Sequence, residues 1–430
     1  MNLYNKLLQV IKDNNALIIT GFGMAFLQGM NFLTGIFLAR NLTPADFGKF
    51  QLLITLITSV AIIVKLGVDE GFLYYLPKLN NEKNKIKGFI SYSLVIVIIS
   101  SLLVGLLITT FGGIIDNYLI QKIEFSYELS LFIYYLPVFV LFTVVLGVLR
   151  GLEFFNFRAS LIYYLNPFIF IIGLIIVYYI SDNISLTFIY SYRIVVFLVL
   201  GFAGLCFIIV KLKNSNFQFL SFNKIKEFHK LSFALIFITL IEFIAEQPTI
   251  DLLLLANLTD GTNLGIYAVN YRIAIIMLII YTGFNVIYTP KMAKLYANNK
   301  KEELIKLYKN CKLKMRILSS IVFFFLITFY DYYIVFFGDE YKEGKSIFII
   351  LAISFYLISF LGLNSSLMII LNSKKKEFIL NLILVLLLFV AGFLLLQIYG
   401  PLGMAIANFV SFFIIFGYRN ILIKNLLIKS

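Results

Sequence analysis

The sequence contains few of the residues that enzymes use for acid–base catalysis, metal binding or disulfide formation. Among its 430 residues there are one histidine and two cysteines, and tryptophan is absent. Cys206 lies in an apolar run and Cys311 in a lysine-rich segment, so neither a disulfide framework nor a metal site is expected. His229, at the junction of a loop and a helix, fits an interfacial role better than catalysis. The sequence also has no Gly-x-x-x-x-Gly-Lys-Ser/Thr motif, which excludes a P-loop ATPase pump.

Charge is scarce as well. Only 13% of the residues are charged, 61% are hydrophobic, and the mean hydropathy is +0.95. A soluble domain of this length needs far more polar surface to cover its core, so the excess apolar surface must face lipid. Apolar stretches of about 20 residues, long enough to cross a bilayer as helices, recur along the whole chain. They leave no room for a soluble catalytic domain, and we expect no enzyme activity and no cofactor.

Hydropathy predicts an all-α polytopic membrane protein with about twelve transmembrane helices. The first stretch is too long for a signal peptide and has no small-residue cleavage site, so it is interpreted as a retained span. The boundaries of the predicted spans are defined to within a few residues. The spans are 16–39, 50–76, 88–111, 130–149, 159–180, 187–210, 231–256, 264–288, 317–338, 346–372, 378–398 and 401–423.

The distribution of charge predicts the orientation of these spans. Most of the 36 lysines and arginines lie near the termini and in alternate loops, the longest of which, 291–316, is interpreted as an amphipathic helix on the membrane surface. Because basic loops stay cytoplasmic, both termini are expected inside the cell. The net charge of +14 then reflects topology and attraction to anionic lipid headgroups, without a nucleic-acid partner. The other loops are acidic and contain Asp116, Glu124, Glu128, Asp182, Asp260, Asp339, Glu340 and Glu343.

A short internal repeat divides the chain in two. Residues 38–50 and 255–267 both contain Asn-Leu-Thr, followed by an acidic or amide residue and then by a glycine placed two residues before an aromatic ring. In each copy a Thr or Asp can cap the next helix, and the glycine permits a tight turn. The copies lie about half the chain apart, which predicts two six-helix lobes, 1–210 and 231–430, joined by a cytoplasmic linker, 211–230.

Three segments resemble one known family. Leu38–Gly48 after the first span, Leu149–Glu153 after the fourth and Gly265–Tyr267 at the start of the eighth are similar to the polysaccharide-exporting flippases of the Wzx type. These belong to the multidrug/oligosaccharidyl-lipid/polysaccharide (MOP) exporter superfamily, together with the MATE transporters. The resemblance implies a V-shaped pair of lobes that moves a polyprenyl-pyrophosphate-linked oligosaccharide outward by alternating access. Peptidoglycan-precursor flippases usually have fourteen spans, two more than are predicted here.

Cationic side chains inside the predicted spans are candidates for binding the substrate. An ionisable group at bilayer depth costs at least about 2.5–3.5 kcal/mol, so it faces a partner or a wet cavity. Lys65, Arg193 and Arg272 lie within spans and Arg40 lies at a rim, a series that suits a pyrophosphate. Tyr267 and Tyr271 could offer stacking faces to sugars, although packing is the alternative for both.

Acidic side chains in the spans are candidates for coupling to H⁺ or Na⁺. The set is Asp69, Glu242, Glu246 and Asp251. Glu242 and Glu246 share one helical face, and Pro248 is expected to break the helix just after them. Two alternatives remain open, namely an ion pair of Asp69 with Lys65 four residues earlier, and static pairing of the two glutamates with Arg193 or Arg272.

The predicted function is therefore export of a lipid-linked oligosaccharide for surface polysaccharide across the inner, or plasma, membrane. The expected partners are the lipid bilayer, the lipid-linked substrate and the polysaccharide polymerase or glycosyltransferase machinery. A cation or drug antiporter of the MATE type is the alternative within the same superfamily. A membrane-embedded glycan polymerase is disfavoured because no long outer loop with catalytic Arg or His is present.

Overall fold

The computed structural model describes residues 15–79, 82–181, 183–213, 216, 218 and 222–429. Within these ranges every regular element is a helix and no strand occurs. The twelve longest are α1 Asn15–Asn41, α2 Pro44–Val64, α4 Lys83–Thr110, α7 Phe132–Gly151, α9 Asn166–Ser181, α10 Leu186–Lys211, α11 Phe222–Glu246, α14 Leu278–Ala297, α15 Lys301–Thr328, α17 Lys345–Leu361, α19 Lys374–Tyr399 and α20 Pro401–Lys429.

Shorter helices lie between or extend these elements. They are α3 Val68–Tyr75, α5 Gly112–Leu119, α6 Ser126–Ser130, α8 Phe155–Ala159, α12 Thr249–Leu258, α13 Gly261–Ala274, α16 Tyr330–Tyr333 and α18 Asn364–Ile370. A π-helical segment, Ser160–Leu165, joins α8 to α9. Short 3₁₀ segments lie at Pro77–Leu79, Ile275–Met277, Ile334–Phe336 and Asp339–Gly344.

The number of membrane-spanning elements agrees with the sequence. In the described part of the chain, eleven helices are long and apolar enough to cross a membrane. The count becomes twelve if α15 and the segment Tyr330–Phe336, which bends away from it by 62°, form one span. The prediction of an all-α polytopic protein with about twelve spans is thereby confirmed.

The apolar surfaces of the long helices explain why these segments need lipid. On α4, Val95, Ile99, Leu102 and Leu106 are each about half exposed and recur every three or four residues along one face. The opposite face of α4 carries small or buried residues. Such a continuous exposed apolar stripe would be unstable in water, whereas in a bilayer it meets hydrocarbon.

Several predicted spans are interrupted, and two of the breaks lie beside candidate site residues. The span predicted at 50–76 consists of α2 and α3, separated at Leu66 and Gly67, which both have positive φ angles (53° and 67°). A Cβ atom on Gly67 would lie 2.1 Å from the carbonyl oxygen of Ser232, so only glycine fits there. The span predicted at 231–256 consists of α11 and α12, and the break lies at Gln247 and Pro248. Proline cannot donate the backbone hydrogen bond that would continue the helix.

The helix expected within 291–316 is present from Lys301 onward, but it is not a separate element. Helix α14 continues to Ala297, and α15 begins at Lys301 and runs without interruption into its apolar part. A turn containing Asn299, with φ 56°, joins them. The lysine-rich residues therefore form the end of α14 and the first part of α15, and the acidic first turn of α15 favours a helix that begins there.

The chain forms two compact units. Unit 1 comprises the described residues within Met1–Thr34, Leu53–Asp116 and Phe125–Leu240, and unit 2 comprises those within Gly35–Leu52, Asn117–Glu124 and Ile241–Ser430. The end of α1 and the start of α2 thus belong to unit 2, with α12 to α20. The lobe boundaries derived from the repeat, 1–210 and 231–430, stay a prediction.

Candidate functional site

In unit 1, the break between α2 and α3 places an ion pair at the interruption. Lys65 Nζ lies 2.5 Å from Asp69 Oδ2, and both side chains are largely buried. Asp69 lies in the first turn of α3, where a negative charge is favoured by the helix dipole. Each charge therefore neutralises the other. The alternative of an internal ion pair, which the sequence left open for Lys65 and Asp69, is thus the arrangement in the structure.

The adjacent Glu70 links two helices of unit 1. Arg150 Nη1 donates to both carboxylate oxygens of Glu70, at 3.0 and 3.1 Å. Arg150 belongs to the segment 149–153 that resembles the flippase family, and in the structure this residue joins the end of α7 to α3. Its visible role is to hold two helices together.

Arg193 lies between two aromatic rings of unit 1. Its guanidinium carbon is 4.3 Å from the ring centre of Phe170 and 4.5 Å from that of Phe197. The ion pairs found among the described residues do not include Arg193. Cation–π contacts hold a guanidinium in place without cancelling its charge. Arg193 is therefore a positioned cation on a membrane-spanning helix that can still attract an anion.

Arg272 has a similar environment in unit 2. Its Nη2 donates to Gln51 Oε1 at 2.9 Å, and its guanidinium carbon lies 5.5 Å from the ring centre of Phe47. A Cβ atom on Gly35 would lie 2.4 Å from Arg272 Nη1, so the guanidinium packs directly on the backbone of α1. All three partners are neutral, and Arg272 is likewise absent from the ion pairs of the described chain.

Arg40, the fourth predicted cation, has a bracing role within unit 2. Its Nε and Nη2 atoms donate to the backbone carbonyl oxygens of Phe336 and Val335, at 2.9 and 3.0 Å. The side chain is otherwise exposed. These hydrogen bonds satisfy two carbonyls near the bend that follows α15, so Arg40 fixes this end of the unit.

Asp251, one of the predicted ion-coupling residues, is buried in unit 2. It is 2% exposed in the first turn of α12, directly after the break at Pro248. Its Oδ2 atom accepts hydrogen bonds from the Tyr267 hydroxyl at 2.5 Å and from Asn408 Nδ2 at 2.7 Å. Both donors are neutral, and the ion pairs of the described residues do not include Asp251. A buried carboxylate with only neutral donors can take up a cation or a proton.

The two tyrosines predicted as sugar-stacking platforms are core residues of unit 2. Tyr267 is 0% exposed and Tyr271 is 6% exposed. The Tyr267 hydroxyl donates a hydrogen bond to the Asp251 carboxylate, and the Tyr271 ring packs edge-on against Phe355 with ring centres 5.2 Å apart. Because both rings are buried, neither has a face available for stacking against a sugar, and both tyrosines have the packing role that was the alternative.

The other predicted acidic residues are only partly described. Glu242 is exposed on α11, and the side chain of Glu246 lies outside the described residues. The helix does break where Pro248 was expected to break it, between α11 and α12. Within the described part of the chain, no group of three or more His, Cys, Asp or Glu side chains could hold a metal ion.

Sequence reasoning missed a buried ion pair in unit 2. Arg419 Nη2 lies 2.8 Å from Glu377 Oε1, with exposed fractions of 2% and 4%, and Arg419 also donates to Asn381 Oδ1. Arg419 lies inside the last predicted span, which was the available signal. The sequence also missed Asn408 and Gln51, because a single amide in an apolar helix does not indicate its partner.

The two copies of the repeat pack against each other inside unit 2. A Cβ atom on Gly48 would lie 2.8 Å from the backbone nitrogen of Gly265. As expected, Thr43 caps α2 through the backbone of Asp46, and Asp260 caps α13 through the backbone of Asn263. The glycines do not form the expected turns, since both lie within helices and let α2 and α13 approach backbone to backbone.

Comparison with known proteins places the chain in a family. The family described as "Polysaccharide biosynthesis protein" matches residues 14–296. No curated protein matches the chain. Among solved structures, the fold is similar to an inward-facing multidrug resistance MATE family transporter of the MOP superfamily, with TM-score 0.73, 16% identity, and 92% of this chain and 94% of the other covered.

Two further structures share the fold. The lipid II flippase MurJ in an inward closed conformation has TM-score 0.71 and 15% identity, with 96% of this chain and 89% of the other covered. A MOP superfamily transporter from Pyrococcus furiosus has TM-score 0.57 and 18% identity, with 95% of each chain covered. At 15–18% identity, these three likenesses show a shared fold. The chain therefore belongs to the polysaccharide biosynthesis protein family and is a multi-pass membrane protein, and its fold is similar to those of MOP superfamily transporters, as the resemblance to Wzx-type flippases predicted.

Proposed function

We propose that the protein moves a polyprenyl-pyrophosphate-linked oligosaccharide, the repeat unit of a surface polysaccharide, from the cytoplasmic to the outer leaflet of the plasma membrane by alternating access. Both termini lie in the cytoplasm, as the excess of Lys and Arg in alternate loops favours. The transported glycan then passes to the polymerase or glycosyltransferase machinery. The basis for this proposal is the family, joined to the chemistry of two arginines.

The observation that carries the proposal is the state of Arg193 and Arg272. Each lies on a membrane-spanning helix, is held by aromatic rings or an amide, and is absent from the ion pairs of the described residues. Leaving a cation at bilayer depth without a counter-charge is costly, so its retention favours an anionic ligand. A diphosphate suits a guanidinium because the planar fork binds two oxygens at once.

The proposed source of energy is an ion gradient that acts through Asp251. Uptake of H⁺ or Na⁺ would cancel the one negative charge of the Asp251, Tyr267 and Asn408 cluster and change how strongly Asn408 on α20 holds α12. Both helices belong to unit 2, so binding or release of the ion at Asp251 can change how α12 and α20 pack against each other.

Mass spectrometry of lipid extracts from cells depleted of the protein tests the function. We expect a polyprenyl-pyrophosphate oligosaccharide to accumulate while surface glycan disappears, and the wild-type gene to reverse both changes. Unchanged lipid-linked glycans, together with new sensitivity to cationic drugs, would replace this proposal with the MATE-type antiporter.

A further inference from the structure

A cavity in unit 1 has a mainly apolar lining that also includes two lysines with no role in the site described above. Its volume is about 470 Å³, and it is lined by Leu66, Lys226, His229, Lys230 and Phe233. Four of these residues lie on α11 at positions i, i+3, i+4 and i+7, which form one face of a helix. We propose that this cavity binds the phosphate headgroup of an anionic membrane phospholipid.

The fold creates the cavity through close packing beside it. Gly67 and Gly71 of the α3 region touch the neighbouring face of α11, where Cβ atoms would lie 2.1 Å from the Ser232 carbonyl oxygen and 2.4 Å from Ser232 Oγ. Phe228 on that packed face is fully buried. The positive φ of Leu66 turns the chain just before this contact, and the adjacent face of α11 is left open above Leu66.

The rim of the cavity is cationic. Lys226 and Lys230 are exposed, and neither takes part in an ion pair within the described chain. The described residues of the lining include no carboxylate, and the neighbouring Glu227 lies close enough to Tyr75 to interact with it electrostatically. His229 is held in place by Tyr92, whose hydroxyl lies 3.0 Å from Nε2. Two lysines four residues apart can grip one phosphate from both sides.

An apolar track continues from the rim along the same helix. Phe233 is 58% exposed and Phe237 is 52% exposed, and their ring centres are 5.4 Å apart. Cations at the start of α11 therefore give way to exposed aromatic rings within two turns. A phospholipid has the matching order of groups, a phosphate followed by acyl chains. A free phosphate or a soluble nucleotide has no acyl chain that could lie along the exposed aromatic rings.

Native mass spectrometry of the purified full-length protein with added lipid tests this inference. We expect phosphatidylglycerol to be retained in preference to phosphatidylcholine of the same chain length. Lys226→Gln/Lys230→Gln should weaken that retention by about thirty-fold, from about 1 kcal/mol for each of the two lysines. Lys306→Gln/Lys309→Gln removes the same charge from exposed positions on α15 and should leave retention unchanged.

Two further arms identify the bound chemistry. Phe233→Ala should weaken retention of long-chain more than short-chain phosphatidylglycerol, and inorganic phosphate should compete poorly. Displacement of phosphatidylglycerol by polyprenyl diphosphate would support the lipid-phosphate site and assign it to substrate loading, and no displacement would support a site for bulk phospholipid. Equal retention by wild type and Lys226→Gln/Lys230→Gln, or no preference over phosphatidylcholine, would overturn the inference. None of these outcomes depends on whether the protein exports a glycan.

Discussion

A Cβ atom on Gly265 would lie 1.8 Å from the carbonyl oxygen of Pro44. The backbone of α13 therefore touches the first residue of α2, and no side chain larger than hydrogen fits between them. The two residues belong to the two copies of the repeat, so the repeated motif marks a contact between its own copies inside unit 2. Gly265 lies within helix α13 and has no positive φ angle, so glycine is needed here for close packing and not for its conformational freedom.

Gly265→Ala should therefore destabilise the protein. The opposing atoms are backbone, so α2 or α13 must move, and overpacking of this kind costs about 1–3 kcal/mol. The thermal unfolding midpoint in detergent measures the effect with a thiol-reactive dye, because Cys311 is buried and reacts only after unfolding. A Cys206→Ser background removes the exposed thiol.

Gly417→Ala is the matched control for that substitution. Gly417 also lies in a helix, but nothing lies within 4 Å of the position of its Cβ atom. Alanine there should leave the midpoint unchanged or raise it slightly, because alanine favours helix by about 1 kcal/mol. Equal midpoints for both variants would show that the close approach of Gly265 to Pro44 is not a constraint.

Tyr267→Phe should lower stability by removing one of the two side-chain donors to Asp251. A buried acceptor that loses a donor costs about 1–3 kcal/mol, and the ring itself still fills the same space. The same dye assay measures the shift in midpoint. Tyr399→Phe is the control, because that tyrosine is 57% exposed and is not a donor to Asp251.

Asp251→Asn should keep the fold and abolish ion-dependent export. The amide has the size of the carboxylate but cannot take up H⁺ or bind Na⁺ as an anion. Accumulation of lipid-linked glycan in cells that carry only this variant measures the loss, and the dye assay verifies folding. Wild-type export by Asp251→Asn at every pH and sodium concentration would remove Asp251 from the coupling mechanism.

Arg272→Lys should retain only part of the export activity of the wild type, whereas Arg272→Gln should abolish export. Lysine retains the charge but cannot donate to Gln51 and to two phosphate oxygens in the fixed geometry of a guanidinium. The accumulated lipid-linked glycan again measures export, with Lys345→Gln as a control at an exposed cation. Full activity of Arg272→Gln would mean that the positive charge does not meet the substrate.

Glu377→Gln should be strongly destabilising. It leaves the 2%-exposed Arg419 without its counter-charge, and breaking a buried pair on one side costs about 3–5 kcal/mol. Removing both charges with Glu377→Gln/Arg419→Met should recover much of the loss. Asp331→Asn, which breaks the exposed pair with Lys345, should change the midpoint little, since such pairs contribute about 0–1 kcal/mol. A similar shift for Glu377→Gln and Asp331→Asn would contradict the assignment.

The sequence predicted the helical class, the number of spans, the candidate charges and the capping residues Thr43 and Asp260. It also predicted the break at Pro248, because proline acts through its own missing N–H. It did not predict the break at Gly67. That break depends on the carbonyl of Ser232, which approaches from far along the chain.

The site shows the same division. The candidate residues were visible because a charged residue in an apolar run stands out. Whether each charge is neutralised was not visible: Lys65 pairs with Asp69 four residues away, but Arg272 meets Gln51 and Asp251 meets Asn408 only through the fold. Tyr267 could be a sugar platform or a core residue until its burial was known.

By itself, the sequence determined that this protein is a bundle of membrane-spanning helices. In hydrocarbon every backbone polar group must be bonded within its own segment, so a long apolar run has to be a helix whatever surrounds it. Only the tertiary structure decided which charges stay unpaired, which glycines bring backbones together and where a cavity opens beside Lys226. Those properties depend on pairs of atoms from distant parts of the chain, and local residue patterns carry no information about such pairs.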